Sequence, residues 1–540
     1  MLRNRADYAN GSFNSSPSPG QLAKRYDHFI SFLLKSVLVG VAAGAVAVAF
    51  RLALANAETW RERVLEWAHR VPGWGWLVLP VLGAVVVGIA GWLTDFAPET
   101  AGSGIPHVEA VLGRKRRLIW QRVIPIKFLA GTLSLGAGLS LGREGPTVQM
   151  GAAAGQAMSN MLRQSKVEEL QLIACGAGAG LSAIFNAPLA GVIFVVEELR
   201  RNFSPYVVGG ALAASIAADV VSRAILGPLP TFRVAQLQAL PLATLPLFLL
   251  LGVLAGLMGA AFNESLTGSL DLAGRLAAFP RWLKASLAAF LAGLVGYVLP
   301  QVLGGGHPLI MVLLKEQSSF SLAWLLIMFS AKFLLTMVSY SAGVPGGIFL
   351  PLLTLGALLG ALVGQASSPL FPRLNGLIPS FATVGMAAYF VAVVRAPLTG
   401  IVLITEMTGR YQHMLPLLLA SIVAYVVVEA LGSLPVYEAL LERLPKVGKK
   451  GGSSPSLWGG TAVTEVVVES GSAASGRLLK DLSLPPDCLL VGIRRGSREI
   501  IPRGNTRLLE GDVLRIITGE DRIVAVRGEL TKITFCRIIR

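Results

Sequence analysis

Charged residues and cysteines are scarce in this chain of 540 residues. Asp, Glu, Lys and Arg make up 14% of it, against about 25% in an ordinary soluble domain, while 53% of the residues are hydrophobic. A single soluble globule is excluded because its surface would be apolar, and a disordered chain is excluded because this much apolar surface must be buried. The three cysteines have no CxxC spacing and no histidine partners, so neither disulfides nor a metal site are predicted. What remains is a membrane protein with many crossings, each of about 20 apolar residues.

The few charges are unevenly distributed. Residues 441–540 contain 17 Lys/Arg and 11 Asp/Glu, which predicts that a polar domain follows a membrane domain. The formal net charge is +16, but the basic residues are spread out without an RNA- or DNA-binding motif, so we expect no nucleic acid partner. They fit cytoplasmic loops, which are rich in Lys and Arg in membrane proteins. The first 27 residues are polar and lack the features of a signal peptide.

Apolar stretches follow one another up to residue 432. They lie at residues 29–55, 75–96, 123–141, 170–198, 206–226, 242–263, 281–303, 319–340, 350–366, 380–407 and 414–432. Several are interrupted by Gly and Pro, as in FNAPLAG (185–191) and RAPLTG (395–400). A Pro inside a helix removes a backbone hydrogen bond, and in lipid the freed group needs another partner. We therefore predict an all-α, polytopic membrane domain of long, tilted, partial and broken helices.

The sequence contains an internal repeat. KFLAGTLSLGAGLSLGREGPTVQMGAAAG, starting at Lys127, aligns without a gap on KFLLTMVSYSAGVPGGIFLPLLTLGALLG, starting at Lys332. Upstream, GSGIP (102–106) aligns on GGGHP (304–308), and downstream NAPLAGVIFVVEE aligns on RAPLTGIVLITEM. Duplicated halves with Gly/Pro interruptions at matching positions are typical of transporters whose site lies where the halves meet.

Three short motifs rich in Gly and Pro each precede a run that can be helical. They are GSGIP (102–106), GREGP (142–146) and GGIFLP (346–351). Pro is tolerated in a first helical turn, and Gly lets the backbone come close to a bound group. A helix N-terminus presents free N–H groups and the positive end of its dipole. The motifs therefore predict an anion held by partial charges, from which it can leave again.

These motifs, together with a Tyr near the last membrane helix, resemble those of the CLC chloride channels and proton/chloride antiporters. The resemblance covers roughly residues 30–445. It implies an all-helical fold of two inverted halves, approximately 75–226 and 281–432, with one pore in each subunit of a homodimer. It also implies a transporter with no enzymatic activity and no cofactor, for which chloride is the transported ligand.

Carried over position by position, the resemblance implies a central chloride site. Its ligands would be the hydroxyls of Ser103 and Tyr437 and the backbone N–H groups of Ile348 and Phe349. Ser103 favours chloride over nitrate, because nitrate transporters of the family tend to carry Pro there, and also over the fluoride branch.

The resemblance also implies two proton-transfer glutamates. Glu144 of GREGP would be the external gating glutamate, whose carboxylate occupies the outer anion site or swings away when protonated. Glu198, the second Glu of VVEELR, matches the internal proton-transfer glutamate that antiporters carry and channels generally lack. A carboxylate within the membrane is costly and therefore points to function.

Other interpretations stay open for some of these residues. Glu144 could pair with Arg143, although adjacent helical residues do not face each other. Ser103 could cap a helix, and Tyr437 could belong to an aromatic belt at the membrane interface.

Nearby acidic residues are expected to be structural. Glu197 and Glu406 occupy equivalent positions of the repeat, which favours a structural role for both. Glu198 corresponds to Met407, as expected for a function carried by one half. Glu109 is expected to belong to an ion pair.

Three further features receive no functional role. His107 follows GSGIP, where family members commonly carry an acidic residue, and we expect no specific role for it. The series Gly356, Gly360 and Gly364 indicates close helix packing. GLSLG (138–142) matches the GxSxG nucleophile pattern, but that motif requires a preceding strand, and an apolar helix is predicted there.

After a predicted flexible linker at 446–460, the chain alternates β-rich runs with turn signals. The runs are TEVVVES, CLLVGIRRG, EIIPRG, DVLRIITG and RIVAVRG. With a short helix at GRLLKDL and an EGD turn, residues 476–530 resemble the TrkA C-terminal (RCK-C) regulatory module. A small α+β cytoplasmic domain is predicted, which either binds a small ligand between two copies or serves only dimerisation and stability. Five basic residues suit an anionic ligand or form a solvated face: Arg494, Arg495, Arg498, Arg503 and Arg507.

Together these features predict a proton/chloride antiporter that crosses the bacterial inner (plasma) membrane many times, with cytoplasmic termini. The expected domains are an N-terminal tail (1–28), a membrane domain (29–445), the linker (446–460) and a regulatory domain (461–540). One alternative is a passive voltage- or ligand-gated chloride channel that keeps Glu198. Another is a ligand sensor whose membrane part conducts little.

Overall fold

The computed structural model divides the chain into two compact units, Met1–Pro445 and Lys446–Arg540. The described residues are 19–201, 203–232, 241–276, 278–315, 320–370, 377–444, 461–469, 472–482, 484–485, 488–495, 498–519 and 522–534. The predicted linker and most of the predicted N-terminal tail lie outside them.

The first unit is built from α-helices. Its first eight helices are α1 (Pro19–Arg70), α2 (Gly75–Asp95), α3 (Ile105–Leu112), α4 (Trp120–Gly136), α5 (Glu144–Met161), α6 (Lys166–Phe185), α7 (Pro188–Phe194) and α8 (Pro205–Leu226). The next nine are α9 (Leu245–Arg275), α10 (Arg281–Val298), α11 (His307–Leu313), α12 (Leu322–Ser341), α13 (Phe349–Ser367), α14 (Leu377–Val394), α15 (Pro397–Thr408), α16 (Met414–Ala430) and α17 (Val436–Glu442). Within the described residues, seven helices are long and apolar enough to cross a membrane, namely α1, α2, α6, α8, α9, α12 and α13.

The Gly/Pro interruptions break helices where the sequence predicted breaks. Helix α6 ends before Asn186, which adopts a left-handed backbone with φ 53°. Helix α14 ends before the equivalent Arg395, with φ 70°. A Pro then occupies the first turn of the next helix in each case, where its missing N–H is not needed. A single π-helical turn, Val195–Leu199, prolongs α7 and carries Glu198.

The two halves of the repeat meet around a pair of equivalent glycines. The Gly142 N–H donates to the Gly347 carbonyl over 2.6 Å, and the Gly347 N–H donates back to the Gly142 carbonyl over 2.7 Å. This antiparallel pairing of residues that correspond in the repeat is what a local pseudo-twofold axis produces.

Two buried lysines stabilise equivalent loops in the two halves. Lys127 Nζ on α4 donates to the carbonyls of Thr100 and Gly102, over 2.8 and 2.7 Å. Lys332 Nζ on α12 donates to the carbonyls of Val302 and Gly304, over 2.9 and 2.5 Å. Each ammonium group therefore holds the loop that precedes a short helix, α3 in one half and α11 in the other.

The predicted structural role of Glu197 and Glu406 is confirmed by reciprocal contacts. The Glu197 carboxylate accepts hydrogen bonds from the Leu398 and Thr399 N–H groups at the start of α15, over 3.0 and 2.7 Å. The Glu406 carboxylate accepts the corresponding bonds at the start of α7, over 3.2 and 2.8 Å. Each half thus caps a broken helix of the other, and a carboxylate at a helix N-terminus is favourable.

The glycine series on α13 serves close packing, as predicted. A Cβ atom on Gly356 would lie 2.4 Å from the Gly385 carbonyl oxygen of α14. On Gly360 it would lie 2.0 Å from the Phe381 carbonyl oxygen. These distances are too short for any side chain, so α13 and α14 pack backbone against backbone.

The second unit is a four-stranded antiparallel sheet with one helix. Its strands β1 (Thr461–Val467), β2 (Cys488–Arg495), β3 (Arg498–Ile500) and β4 (Val513–Gly519) are ordered β1-β4-β2-β3. Helix α18 (Ile523–Thr534) packs on the sheet. The predicted α+β class is confirmed, and the predicted helix at GRLLKDL is a single 3-10 turn, Leu479–Asp481.

One predicted strand of the second unit is wrong. RIVAVRG is rich in β-branched residues, which favours a strand, but it forms the start of α18. Val526, Leu530 and Ile533 are spaced by four and three residues and pack against the sheet core. This helical spacing of apolar residues, completed by residues after the run, outweighs the local preference of the valines.

An ion pair closes the EGD turn of the second unit. The Arg495 guanidinium donates two hydrogen bonds of 2.8 Å to the buried Asp512 carboxylate, which also accepts the Leu509 N–H. Burial alone would raise the pKa of Asp512, but the Arg495 and Leu509 donors outweigh it and hold that pKa below its ordinary value. Arg494 pairs with Glu465, so two of the five arginines considered for a ligand are engaged within the fold.

Candidate functional site

Three helices begin at the predicted anion motifs. Helix α3 begins at Ile105 in GSGIP, α5 begins at Glu144 in GREGP and α13 begins at Phe349 in GGIFLP. The described N-terminal turns of α3, α5 and α13 carry no Lys or Arg side chain. An anion here would therefore meet backbone N–H groups and helix dipoles, while the charge of Arg143, the N-cap of α5, acts on the same region.

Glu144 lies between two of these N-termini. Its side chain is fully buried, and Oε2 accepts a hydrogen bond of 3.4 Å from the Leu350 N–H in the first turn of α13. Oε1 is buried and has no hydrogen-bond partner. Glu144 and Arg143 form no direct ion pair among the described residues, although the charge of Arg143 acts on this carboxylate. The carboxylate itself thus takes an anionic position at a helix N-terminus.

A glycine makes room for this carboxylate. A Cβ atom on Gly142 would lie 2.1 Å from Glu144 Oε2 and 3.1 Å from the Leu350 nitrogen. Any side chain at Gly142 would therefore displace the Glu144 carboxylate. Because Gly142 also pairs with Gly347, the gating candidate sits beside the contact between the two halves.

Ser103 reaches the start of α5 from the GSGIP loop. Its Oγ atom is buried without a hydrogen-bond partner, and a Cβ atom on Gly145 would lie 2.5 Å from it. The N-cap of α3 is Gly104, with φ 87°, and no side chain caps this helix. Ser103 is therefore no helix cap, and its hydroxyl is left available in the interior.

Tyr437 lies on α17 and is completely buried, so it belongs to no interfacial aromatic belt. Its hydroxyl has no hydrogen-bond partner. The charges of both Glu144 and Glu198 act on this hydroxyl, which places Tyr437 within electrostatic range of the two glutamates. The buried Tyr437 hydroxyl is thus within electrostatic range of both proton-transfer candidates, Glu144 and Glu198.

Ile348 and Phe349 mark the start of α13 and are fully buried. The Phe349 ring packs against Phe185 and Phe390, with ring centroids 5.6 and 4.5 Å apart. Their side chains thus form apolar packing, and only their backbone N–H groups can serve an anion.

Glu198 lies on the π-helical turn and is 5% exposed. Charged groups that act on it are Glu109, Arg201, Glu197 and Glu438. The predicted ion pair of Glu109 is wrong, because Glu109 forms none among the described residues and its Oε2 is buried without a partner. Three partly exposed carboxylates and one guanidinium group therefore act on the buried Glu198.

A cavity of about 580 Å³ opens onto Ser103. His107, Tyr340, Arg281 and Arg443 also line it. His107 is nearly buried, and its Nδ1 lies 3.1 Å from Gln149 Nε2, so this side chain is held by a neighbour on α5. The cavity therefore reaches the Ser103 loop from one side, with arginines among its lining residues.

The sequence reasoning overlooked Lys127 and Tyr340, which shape the Ser103 loop. Lys127 holds the carbonyls that precede Ser103, and the Tyr340 hydroxyl packs against Gly102, where a Cβ atom would lie 3.2 Å from it. The signal for Lys127 was present in the repeat, because a lysine within an apolar stretch recurs at Lys332. No comparable signal marked Tyr340.

Ser140, the serine of GLSLG, is not arranged as a nucleophile. Its hydroxyl is 2.8 Å from the Thr336 hydroxyl, and its N–H donates to Ser339 Oγ. The motif follows helix α4, with no strand among the described residues before it. Within the same described residues, no group of three or more His, Cys, Asp or Glu could hold a metal ion.

Comparisons with known proteins agree with this geometry. The family described as voltage gated chloride channel matches residues 85–429, and the TrkA-C domain family matches residues 463–530. The H(+)/Cl(-) exchange transporter ClcA of Salmonella paratyphi B is 38% identical over 421 residues, covering 77% of this chain and 89% of ClcA.

Solved structures show the same fold. A slow cyanobacterial Cl-/H+ antiporter is 37% identical, with TM-score 0.73, covering 76% of this chain and 97% of its own. A CLC-type fluoride/proton antiporter is 26% identical, with TM-score 0.63, covering 77% and 98%. The predicted fold of two inverted halves with broken helices is thereby confirmed, and the protein crosses the membrane many times. The chain belongs to the voltage gated chloride channel family and carries a TrkA-C domain after its membrane part.

Proposed function

We propose that this protein exchanges chloride for protons across the membrane. The observation that carries the proposal is that three of the buried polar atoms without hydrogen-bond partners belong to the residues of the anion motifs and of α17: Ser103 Oγ, Tyr437 Oη and Glu144 Oε1. Buried polar groups are nearly always paired in proteins, so unpaired ones point to a bound partner. Two hydroxyls can donate to an anion, while the carboxylate competes with it for the same donors.

Chloride is held by hydroxyls and backbone N–H groups in this proposal. Ser103 and Tyr437 donate their hydroxyl protons, and the N–H groups of Ile348 and Phe349 complete the site. The helix dipole of α13 adds a partial positive charge. Without a Lys or Arg in direct contact, binding is weak enough for the ion to leave again.

Glu144 couples the anion to the proton at one position. As a carboxylate it occupies the N-terminus of α5 and the Leu350 donor, which excludes an anion from them. A neighbouring anion and burial both favour its protonated, neutral form. Protonation therefore releases the donors to chloride, and loss of the proton returns them to Glu144.

Glu198 exchanges protons between Glu144 and the inner solution. It lies on a different turn from the anion ligands, and the buried Tyr437 hydroxyl is within electrostatic range of both glutamates. This arrangement separates the proton path from the anion path on the inner side and joins them near Glu144. The relatives that match most of the chain are named as exchangers, which supports antiport over passive conduction.

Several finer points belong to the same proposal. The functional unit is a homodimer with one pore per subunit in the bacterial inner membrane, both termini are cytoplasmic, and the protein has no enzymatic activity or cofactor. The TrkA-C domain (residues 461–540) regulates transport by binding a small ligand, for which Arg503 and Arg507 supply positive charge. Removal of residues 451–540 should leave chloride transport intact, because all proposed anion and proton ligands precede them.

The decisive experiment reconstitutes the protein in liposomes under opposed chloride and proton gradients. An exchanger gives a reversal potential that depends on both gradients, whereas a channel follows the chloride gradient alone. Glu144→Gln should abolish chloride-driven proton movement while chloride still passes, because the amide imitates the protonated gate. Glu168→Gln is a matched control, since Glu168 lies outside the site and forms an ion pair with Lys35. Proton movement that persists in Glu144→Gln would contradict the assignment.

A further inference from the structure

Charged groups from three elements lie within electrostatic range of Glu198. Glu109 comes from α3, Arg201 follows the π-helical turn that carries Glu197 and Glu198, and Glu438 comes from α17. The proposed exchange mechanism uses Glu198 but assigns nothing to Arg201 and Glu438. Within this group of described residues, Arg201 and Glu438 form the one ion pair.

Arg201 and Glu438 form an ion pair. Arg201 Nη2 lies 2.5 Å from Glu438 Oε1, and the two side chains are 56% and 35% exposed. Ion pairs this exposed stabilise a fold little. Stability is therefore a weak reason for the pair, and its position beside a buried carboxylate is the notable feature.

The backbone at Arg201 is held in an unfavourable conformation. Its φ of 47° lies in the left-handed region, which residues with a Cβ rarely adopt. The same conformation follows helix ends elsewhere in this unit, as at Asn186 and Arg395, so at Arg201 it marks the point where the chain leaves the π-helical turn. Here it accompanies a guanidinium group that bonds across to α17.

The partner of Arg201 is adjacent to an anion ligand. Glu438 directly follows Tyr437 on the seven-residue helix α17, and the Tyr437 hydroxyl is within electrostatic range of Glu198. The ion pair therefore links the loop after Glu198 to the helix that presents Tyr437. A shift of either element would alter both the proton and the anion surroundings.

We propose that Arg201 and Glu438 are positioning residues for internal proton transfer, which set the pH at which Glu198 exchanges its proton with the inner solution. The inference rests on the proposed exchange function and adds to it a regulation of the inner proton site. The groups that face Glu198 are Glu109, Glu197, Glu438, Arg201 and the neutral Tyr437.

The two members of the pair act on Glu198 with opposite signs. A positive charge nearby favours the ionised carboxylate, and a negative charge favours the protonated one. Loss of Arg201 leaves Glu438 uncompensated, so Glu198 keeps its proton up to a higher pH. Loss of Glu438 leaves Arg201 uncompensated, so Glu198 releases its proton at a lower pH. Loss of both removes two opposing effects together.

The test is a pH profile of coupled transport by the full-length protein. Chloride-driven proton flux is measured in liposomes at a series of symmetrical pH values for Arg201→Gln, Glu438→Gln and the double variant. The midpoint should move up by about 0.5 to 1 pH unit in Arg201→Gln and down by a similar amount in Glu438→Gln. In the double variant it should return to within about 0.3 unit of wild type, as a double-mutant cycle of opposed charges requires.

Glu442→Gln provides the control, because Glu442 is an exposed glutamate on the same helix. Its midpoint should equal that of wild type. Single variants that shift in the same direction, or do not shift, would overturn the proposal, and so would an equal shift in Glu442→Gln. Failure of the proposed function looks different, since wild type would then show no chloride-driven proton flux at any pH.

Discussion

The two halves of the membrane unit share the residues that stabilise the fold and differ in the residues of the proposed site. Lys127 and Lys332 each bind two loop carbonyls, and Glu197 and Glu406 each cap a helix of the opposite half. These residues keep both their identity and their contacts across the repeat. A titratable residue that recurs in both halves therefore has a structural role in each.

The proposed functional side chains occupy positions where the halves differ. By the same alignment, Ser103 corresponds to Gly305, Glu144 to Phe349 and Glu198 to Met407. The first half supplies the Ser103 hydroxyl and the two carboxylates, and the second supplies backbone N–H groups within apolar packing. Tyr437, which follows the second half, adds one more hydroxyl and has no counterpart in this alignment. Comparison inside one chain therefore separates the residues of the fold from those of the chemistry without any alignment of relatives.

The largest effect on transport is expected at Glu198, one of the positions where the two halves carry different residues. Glu198→Gln should abolish chloride-driven proton movement and leave chloride flux within about twofold, because the amide cannot carry a proton and the residue does not line the anion path. Proton and chloride fluxes measured together in liposomes check this. Glu406→Gln, which removes a carboxylate that caps α7, should keep the coupling. Equal loss of coupling in both variants would contradict the assignment of residues found in one half to transport and of residues repeated in both halves to the fold.

The next effect concerns the shared lysines. Lys127→Met and Lys332→Met should each lower the free energy of unfolding by about 2–4 kcal/mol, since each leaves two buried carbonyls unpaired. Unfolding in detergent measures the loss. Lys166→Met, which removes an ammonium group that is 88% exposed, should cost less than about 1 kcal/mol. Losses at Lys127 and Lys332 that differ by several kcal/mol would show that the halves are not held alike.

A smaller effect is expected in the second unit, which has no counterpart in the repeat. Because the folded pKa of Asp512 is lowered, its ion pair with Arg495 stabilises this unit above the unfolded pKa of about 3.9 and is lost as pH falls through the folded value. At pH 7, Asp512→Asn should lower local stability by about 2 kcal/mol. Hydrogen exchange of β2 and β4 in the full-length protein measures this. Unchanged exchange of β2 and β4 in Asp512→Asn would contradict a stabilising role for this ion pair.

The smallest effect is expected for anion selectivity at Ser103. Ser103→Ala should lower the chloride/nitrate flux ratio about tenfold, ~1.4 kcal/mol, because a lost donor penalises the smaller, more strongly hydrated anion more. Flux assays with each anion test it. Ser140→Ala is the control, as it removes a buried hydroxyl that is already paired with Thr336. Unchanged ratios in Ser103→Ala would remove this residue from the site.

Much of the membrane unit was predictable because its signals are local or repeated. Gly and Pro mark the helix starts at Ile105, Glu144 and Phe349, and these agree with the motifs. The repeat also identified Glu197 and Glu406 as structural, since a shared acidic residue has a shared contact. Each of these inferences needs only the order of residues along the chain.

Contacts between distant segments could not be predicted in this way. Arg201 and Glu438 are separated by more than two hundred residues, and nothing in the sequence pairs them. Glu109 seemed suited to an ion pair, but it forms none among the described residues and its Oε2 is buried without a partner. In RIVAVRG, the apolar positions that make a helix face lie partly beyond the run itself. In each case the contact depends on residues that the fold brings together and that lie outside the local sequence.

The reciprocal helix caps have a consequence for the order of synthesis. The Ala190 N–H finds its acceptor on Glu406, 216 residues later in the chain. A ribosome that adds 5–20 residues per second needs about 10–40 s to bridge that interval. Throughout it, the start of α7 lacks its acceptor and Glu197 lacks its donors, so the first half cannot complete its own structure. A nascent chain stopped between α9 and α14 is therefore expected to be a substrate for quality-control proteases, whereas one released after α17 can close both caps at once.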